Sequence, residues 1–343
     1  MRLLILGGTL YLGRHLVEAA IARGHTVTLF NRGRTAPELF PGLERLRGDR
    51  DGDLGALAGR RWDAAIDTSG FLPEQVRATA TLLAPALGRY AFVSSLSVYA
   101  DSTTAGLTEE GAVARLEPGA PHTLSAASYG ALKAACEAEV ETLLPGRTLV
   151  VRPGLIVGPH DATDRSAYWP RRLAAGGEVL APGRPGRTVQ FVDARDLAAW
   201  IVSRCEAGAT GVMNATGPAE PLTMAALLEA CRALSASEAH FSWVDDAFLL
   251  EHGVVPYAEL PLWVPEEARA FGAFSIARAR SAGLAFRPLA QTLADILAWD
   301  RTQPPGPRVS QTRLPMPPGL SAERERALLA AWREHCRPSS AVQ

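Results

Sequence analysis

The chain has 343 residues, 47% of them hydrophobic, and a formal net charge of −1. That length suffices for a large core and two lobes, and the balanced charge argues against nucleic-acid binding through a strong overall field. No apolar run approaches the roughly 20 residues of a membrane span. The four cysteines, Cys136, Cys205, Cys231 and Cys336, stand far apart, at no metal-ligand spacing, and read as free thiols of a reducing cytoplasm. A signal peptide is not expected, because Gly7 and Gly8 interrupt the first apolar run after a few residues.

Leu3-Leu4-Ile5-Leu6 reads as a central parallel strand, buried on both faces. Gly7, Gly8, Thr9, Leu10, Tyr11, Leu12 and Gly13 follow, and then a helix over 14–23. Strand, glycine turn and helix is the context that a dinucleotide site requires. Glycines let backbone approach a pyrophosphate, and a helix N-terminus offers free N–H groups. Gly7 and Gly13 fit a G-x-x-G-x-x-G spacing, but the middle position is Leu10, with Gly8 shifted; a plain tight turn is the alternative.

The second strand, 26–30, runs into Asn31-Arg32-Gly33-Arg34, with no acid. An acid there would take the ribose 2′-OH of NAD, whereas arginine suits a 2′-phosphate. NADP is therefore the expected cofactor, with NAD possible. Asp49 and Arg50 follow a third short element; an Asp there can accept from the adenine amino group or simply make a turn. A strand over 62–67 ends at Thr68-Ser69-Gly70, 73–87 has helical periodicity, and a strand over 90–93 ends at Ser94-Ser95-Leu96-Ser97. Ligands of open α/β sheets lie beyond the carboxyl ends of the strands, so these serines are candidates to hold a substrate oxygen.

A Gly-, Thr- and Pro-rich loop over 101–127 leads to Tyr129-Gly130-Ala131-Leu132-Lys133, which opens a helix. The four-residue spacing places Tyr129 and Lys133 on one face. An ammonium beside a phenol lowers its pKa, and a Tyr tuned this way can exchange a proton with a substrate oxygen. A strand over 148–151 enters an irregular stretch from Arg152 to Pro159. The alternation of strand and helix predicts an α/β fold with a Rossmann-type doubly wound parallel sheet and a smaller C-terminal substrate lobe.

Beyond residue 160 the composition changes. Residues 161–172 are polar, with Tyr168 and Trp169; 176–186 reads as turns; 188–192 and 211–215 read as strands around a helix over 194–205. Helical patterns follow at 223–234, 245–251, 276–282 and 289–299, with a strand over 241–244. Residues 303–318 read as a proline-rich tail, and Ser321 caps a last helix. The expected domains are a dinucleotide-binding unit over 1–160, rejoined by 188–215 and part of 276–300. A substrate lobe takes 161–187 and 216–300, and a tail and helix take 301–343.

Placed together, these pieces resemble the extended short-chain dehydrogenases/reductases, the family named for NAD-dependent epimerases and dehydratases. The matching residues are the Gly7 to Gly13 turn, Asp49, Val93-Ser94-Ser95-Leu96-Ser97-Val98-Tyr99, Tyr129 to Lys133, Arg152-Pro153 to Gly158-Pro159, Phe191 to Leu197 and Gly283 to Leu289. The resemblance implies Tyr129 as acid/base, Lys133 as the residue that lowers its pKa and holds the nicotinamide ribose, and Ser95 as the residue that orients the substrate oxygen. It implies that the segment after Pro153 flanks the nicotinamide, and that subunits pair as a homodimer through the 73–87 and Tyr129 helices. Leu10 at the middle glycine position is a pattern of the family's atypical branch. Val189-Gln190 stands where sugar-nucleotide enzymes carry Arg-Asp.

The expected function is hydride transfer between nicotinamide and a carbonyl or hydroxyl of a small metabolite. The alternatives are an epimerase or dehydratase with a tightly held cofactor, acting on a sugar or sugar nucleotide, and a non-catalytic or RNA-associated member of the atypical branch. Expected cofactor contacts are Gly7, Gly8, Thr9, Leu10, Tyr11, Leu12, Gly13, Asn31, Arg32, Arg34, Asp49, Arg50, Thr68, Ser69, Gly70, Tyr129, Lys133 and Pro153. Ser97, Tyr168, Trp169 and Arg171 are the substrate candidates. Arg172, Arg184 and Arg187 are further cations available to an anionic substrate. No metal, nucleic-acid or membrane partner is expected.

Overall fold

Continuous apolar runs become strands covered on both faces. The computed structural model describes residues 1–304, 314 and 319–337. Its first half runs β1 (Arg2–Leu6), α1 (Leu12–Ala22), β2 (Thr26–Asn31), β3 (Glu44–Arg47), β4 (Trp62–Asp67), α2 (Pro73–Leu83), β5 (Leu87–Val93), α3 (Tyr129–Leu143) and β6 (Thr148–Pro153). The chain continues through β7 (Leu155–Val157), α4 (Arg165–Ala174), β8 (Glu178–Pro182), β9 (Thr188–Val189), β10 (Phe191–Asp193), α5 (Ala194–Glu206) and β11 (Gly211–Ala215). It closes with β12 (Leu222–Thr223), α6 (Met224–Ser235), β13 (His240–Val244), α7 (Asp246–Glu251), α8 (Ala277–Ser281), α9 (Leu289–Arg301) and α10 (Ala322–His335).

Seven strands form one sheet in the order β11–β6–β5–β4–β1–β2–β3, and every pairing is parallel. Helices α1 and α5 cover one face, α2 and α3 the other. Leu3, Leu4, Ile5 and Leu6 are wholly inaccessible to solvent; each such side chain stabilises the fold by about 1.5–3 kcal/mol. The strand order reverses between β1 and β4, so their carboxyl ends diverge and open the crevice where this architecture binds ligands.

A second cluster of buried side chains unites α4, β8, α6, β13, α7, α9 and α10. Three local readings change here. The turn-rich stretch 176–186 contains β8, which pairs in parallel with β13. Gly176, Gly177 and Gly183, all at positive φ, bracket it and mask the buried Val179-Leu180-Ala181 run. The strand expected over 188–192 is two strands: β9 pairs antiparallel with β12, and β10 pairs in parallel with β7. Between them Gln190 donates to the Phe274 carbonyl at 3.0 Å and accepts from the Phe274 N–H at 2.8 Å. The polar stretch 161–172 becomes α4, started by Asp161, whose carboxylate accepts from the Thr163 and Ser166 amides. The Ser321 hydroxyl accepts from the Arg324 amide and caps α10. The proline-rich tail lies almost wholly outside the described residues.

Candidate active site

The parallel sheet sends the ends of β1, β4, β5 and β6 to one edge. At β1 the glycine turn is built without room for side chains. Gly7 and Gly8 have φ of 115° and 93°, a region only glycine enters cheaply. A Cβ on Gly13 would lie 2.8 Å from the Gly8 amide nitrogen. A bare backbone turn leading into the N-terminus of α1 is the cradle that a pyrophosphate requires. Leu12 packs into the core behind the turn, and Thr9 is buried within it. Arg32 and Arg34 are exposed beyond β2.

Several expected cofactor contacts are instead committed to holding this edge together. Asn31 donates to the Gly7 carbonyl at 2.9 Å and accepts from the Gly33 amide at 2.9 Å. The Thr68 and Ser69 hydroxyls both donate to the Leu6 carbonyl, at 3.0 and 3.2 Å. Asp49 accepts from the Asp51 amide within its own turn. Arg50 is a clear departure from expectation. It is buried and ion-paired with Asp67 at 2.6 Å, and it also donates to the Gln75 carbonyl. Its charge serves the interior rather than a ligand, because Asp67 at the end of β4 is fully buried and needs a counter-charge.

Tyr129 opens α3, with the Ser95 hydroxyl beside its phenol. Three contacts fix the helix. Gly130 lies so close to the Ser97 carbonyl that a Cβ would collide with it. Glu137 makes a bidentate buried pair with Arg152 of β6, at 3.0 and 2.6 Å, and accepts from Ser94. Lys133 donates to the carbonyls of Gly70 and Val93, both at 2.7 Å, over the Phe92 ring. The last contact corrects the expected pairing. The ammonium is drawn inward to two strand-end carbonyls and does not tune the phenol. Burial therefore wins over the Ser95 contact and pushes the Tyr129 pKa above its usual value of about 10. The Ser95 side chain also accepts from the Ser97 amide at 3.1 Å, which closes the turn after β5.

Of the substrate candidates, Tyr168 and Trp169 are buried in the second-lobe core. The Trp169 indole donates to the Pro261 carbonyl at 2.7 Å. Arg171 is held by Asp164 and Asp300. These three are structural, because the lobe needs their apolar area and ion pairs to close on α9. Arg172 pairs with Glu325, Arg184 with Glu266 and Arg187 with Asp246.

No family model matches the chain. It is 29% identical to the bovine (Bos taurus) epimerase family protein SDR39U1 over 251 residues, which cover 66% of this chain and 77% of that one. It is 30% identical to the Arabidopsis thaliana chloroplast stem-loop binding protein of 41 kDa b over 216 residues, 57% of this chain and 53% of that one. The match thus spans about half of the Arabidopsis protein. The crystal structure of human epimerase family protein SDR39U1 with NADPH superposes with a TM-score of 0.59 at 23% identity, over 87% of this chain and 99% of that one. The chain is thus similar in sequence to epimerase family proteins and shares their fold.

Sequence reading named Tyr11 as a cofactor contact but missed a tyrosine and an arginine near the same sheet edge, Tyr257 and Arg165. Tyr11 extends from the glycine turn to within 3.5 Å of the Ser166 hydroxyl. Tyr257 lies under the Arg165 guanidinium, 5.6 Å from ring centroid to Cζ. No spacing in the chain links residues 11, 165 and 257; only the docking of α4 against the sheet edge does.

The buried Lys133 gives a pH signature. Burial lowers its pKa to about 8, against roughly 10.4 in the unfolded chain. Between those values the unfolded chain holds more protons, so this group makes stability rise with pH, fully above about 10.4 and not below about 8. Cys136, pushed up to about 12 by burial, works in the opposite direction. In a Cys136→Ala background, urea unfolding should show stability rising by about 2 kcal/mol from pH 8 to 10 relative to Lys133→Met/Cys136→Ala. Parallel pH profiles for the two proteins would refute the buried, partly deprotonated lysine.

Proposed function

We propose that the protein transfers hydride between NADP(H) and a carbonyl or hydroxyl carbon of a small metabolite, with Tyr129 exchanging the proton on oxygen. The observation that carries this reading is the Tyr129–Ser95 pair at the carboxyl edge of a parallel sheet whose first strand ends in a turn with no room for side chains at Gly7, Gly8 and Gly13. The residues fit a dinucleotide: Gly7, Gly8 and Gly13 take the pyrophosphate, Arg32 and Arg34 the 2′-phosphate, and the backbone after Pro153 the nicotinamide end. The nicotinamide, when bound, supplies or accepts the hydride.

Ser95 holds the substrate oxygen, with Ser97 at the rim. Tyr129, a phenol that is protonated at neutral pH and that burial holds above its ordinary pKa, donates its proton to that oxygen as the carbonyl is reduced. Lys133 is a positioning residue that locks the Gly70 and Val93 carbonyls beneath the site. An epimerase or dehydratase uses the same groups but keeps its cofactor through the cycle. Stem-loop RNA, suggested by the Arabidopsis relative's name, ranks third for a chain of net charge −1.

Two measurements on purified protein test this reading. NADPH should bind at least tenfold more tightly than NADH, and Arg32→Ser/Arg34→Ser should abolish that difference; tighter NADH binding would overturn the NADP assignment. Denatured protein should release no nucleotide, whereas stoichiometric nucleotide release would move the reading to the epimerase or dehydratase class.

A further inference from the structure

Arg165 stands apart from the other arginines of α4 and of the loop after β8. Arg171, Arg172, Arg184 and Arg187 each hold a carboxylate. Arg165 is half-buried and makes no ion pair among the described residues. Its Nε donates to the Thr163 hydroxyl at 3.1 Å, and its Cζ lies 5.6 Å from the centroid of the Tyr257 ring. The nearby carboxylate, Asp161, is buried and committed to Thr163 and Ser166 through bonds of 2.7–2.9 Å. The neighbouring Ser166 hydroxyl faces Tyr11 of the glycine turn. The charge of Arg165 also reaches Tyr129 and lowers its pKa against the larger effect of burial.

A guanidinium whose two terminal nitrogens have no hydrogen-bond partner among the described residues, partly removed from water and set over an aromatic ring, matches a planar oxyanion bidentately. We propose that Arg165 anchors the substrate through a carboxylate or phosphate group that the substrate carries beside its reacting oxygen. The inference rests on the proposed function for the word "substrate"; the anion site itself does not. It narrows the metabolite to one with an oxyanion near its carbonyl or hydroxyl.

The test is calorimetric titration of malonate and of inorganic phosphate into the whole protein, with and without saturating NADPH. Wild type should bind at least one probe at millimolar concentration or better. Arg165→Gln should weaken that binding at least tenfold and change NADPH affinity less than twofold. Stronger binding of malonate marks a carboxylate substrate, and stronger binding of phosphate a phosphorylated one. Equal probe binding by wild type and Arg165→Gln, or no binding of either probe to wild type, overturns the proposal. So does a tenfold loss of NADPH affinity with probe binding unchanged, which would assign the guanidinium to the cofactor. If Arg165→Gln does not fold, Arg165→Lys carries the test, since it keeps the charge but loses the fork: weaker malonate binding with NADPH affinity retained supports the anchor, and unchanged binding overturns it. Wild type that binds malonate through Arg165 but not NADPH would refute the proposed function and leave the anchor standing.

Discussion

Replacing Tyr129 with Phe should lower kcat/KM 10²- to 10⁴-fold for any carbonyl compound that the protein reduces with NADPH, with NADPH affinity changed less than twofold. The ring would still fill its place at the start of α3, next to Gly130 and the Ser97 carbonyl. What disappears is the proton that the substrate oxygen must receive, and a positioned general acid contributes about that factor. In free-energy terms the loss is about 3–5 kcal/mol of transition-state stabilisation. Because burial raises the Tyr129 pKa, wild-type reduction should stay flat from pH 6 to 9, whereas the reverse oxidation should rise with pH as the phenol begins to ionise. Steady-state kinetics in both directions check this. Turnover of the Tyr129→Phe variant within threefold of wild type would remove Tyr129 from the chemistry.

Asp67→Asn should cost about 3–5 kcal/mol of folding stability, the usual penalty for leaving a buried charge without its partner. Asp67 is fully buried and is the common acceptor of three donors. Arg50 reaches it at 2.6 Å, the Tyr90 hydroxyl at 2.6 Å and the Ser69 amide at 2.9 Å. The asparagine keeps the volume but leaves the Arg50 guanidinium uncompensated in a site where its Nε already has no acceptor. Domains of this kind are stable by only about 5–15 kcal/mol, so the loss will show as a large fall in urea midpoint. The double variant Arg50→Met/Asp67→Asn removes both charges while keeping an acceptor for the Tyr90 hydroxyl and the Ser69 amide, and should recover most of it, because the cost of breaking a buried pair lies largely in the charge left behind. A single-variant cost below 1 kcal/mol would refute the strut. The paired charges also explain why Arg50, next to an acid that suggested adenine contact, belongs to the interior.

The sequence by itself determined the sheet, the glycine turn and the place of Tyr129. These are local signals: an apolar run at residues 3–6, ended by Gly7 and Gly8, is too short for a helix and too continuous for an exposed strand, and Gly7, Gly8 and Gly13 are needed where backbone must pass this closely. The Ser95 turn was readable for the same reason, since it ends a strand whose neighbours all run the same way. Tertiary structure alone decided where the charges go. Tyr129 and Lys133 share a helix face, but the spacing does not reveal the Gly70 and Val93 carbonyls that capture the lysine. Nor could spacing show that Arg171 is answered by Asp300, 129 residues away, while Arg165, six residues earlier, lies over Tyr257. A long cationic side chain settles wherever the fold leaves an acceptor, and that is fixed only when distant segments meet.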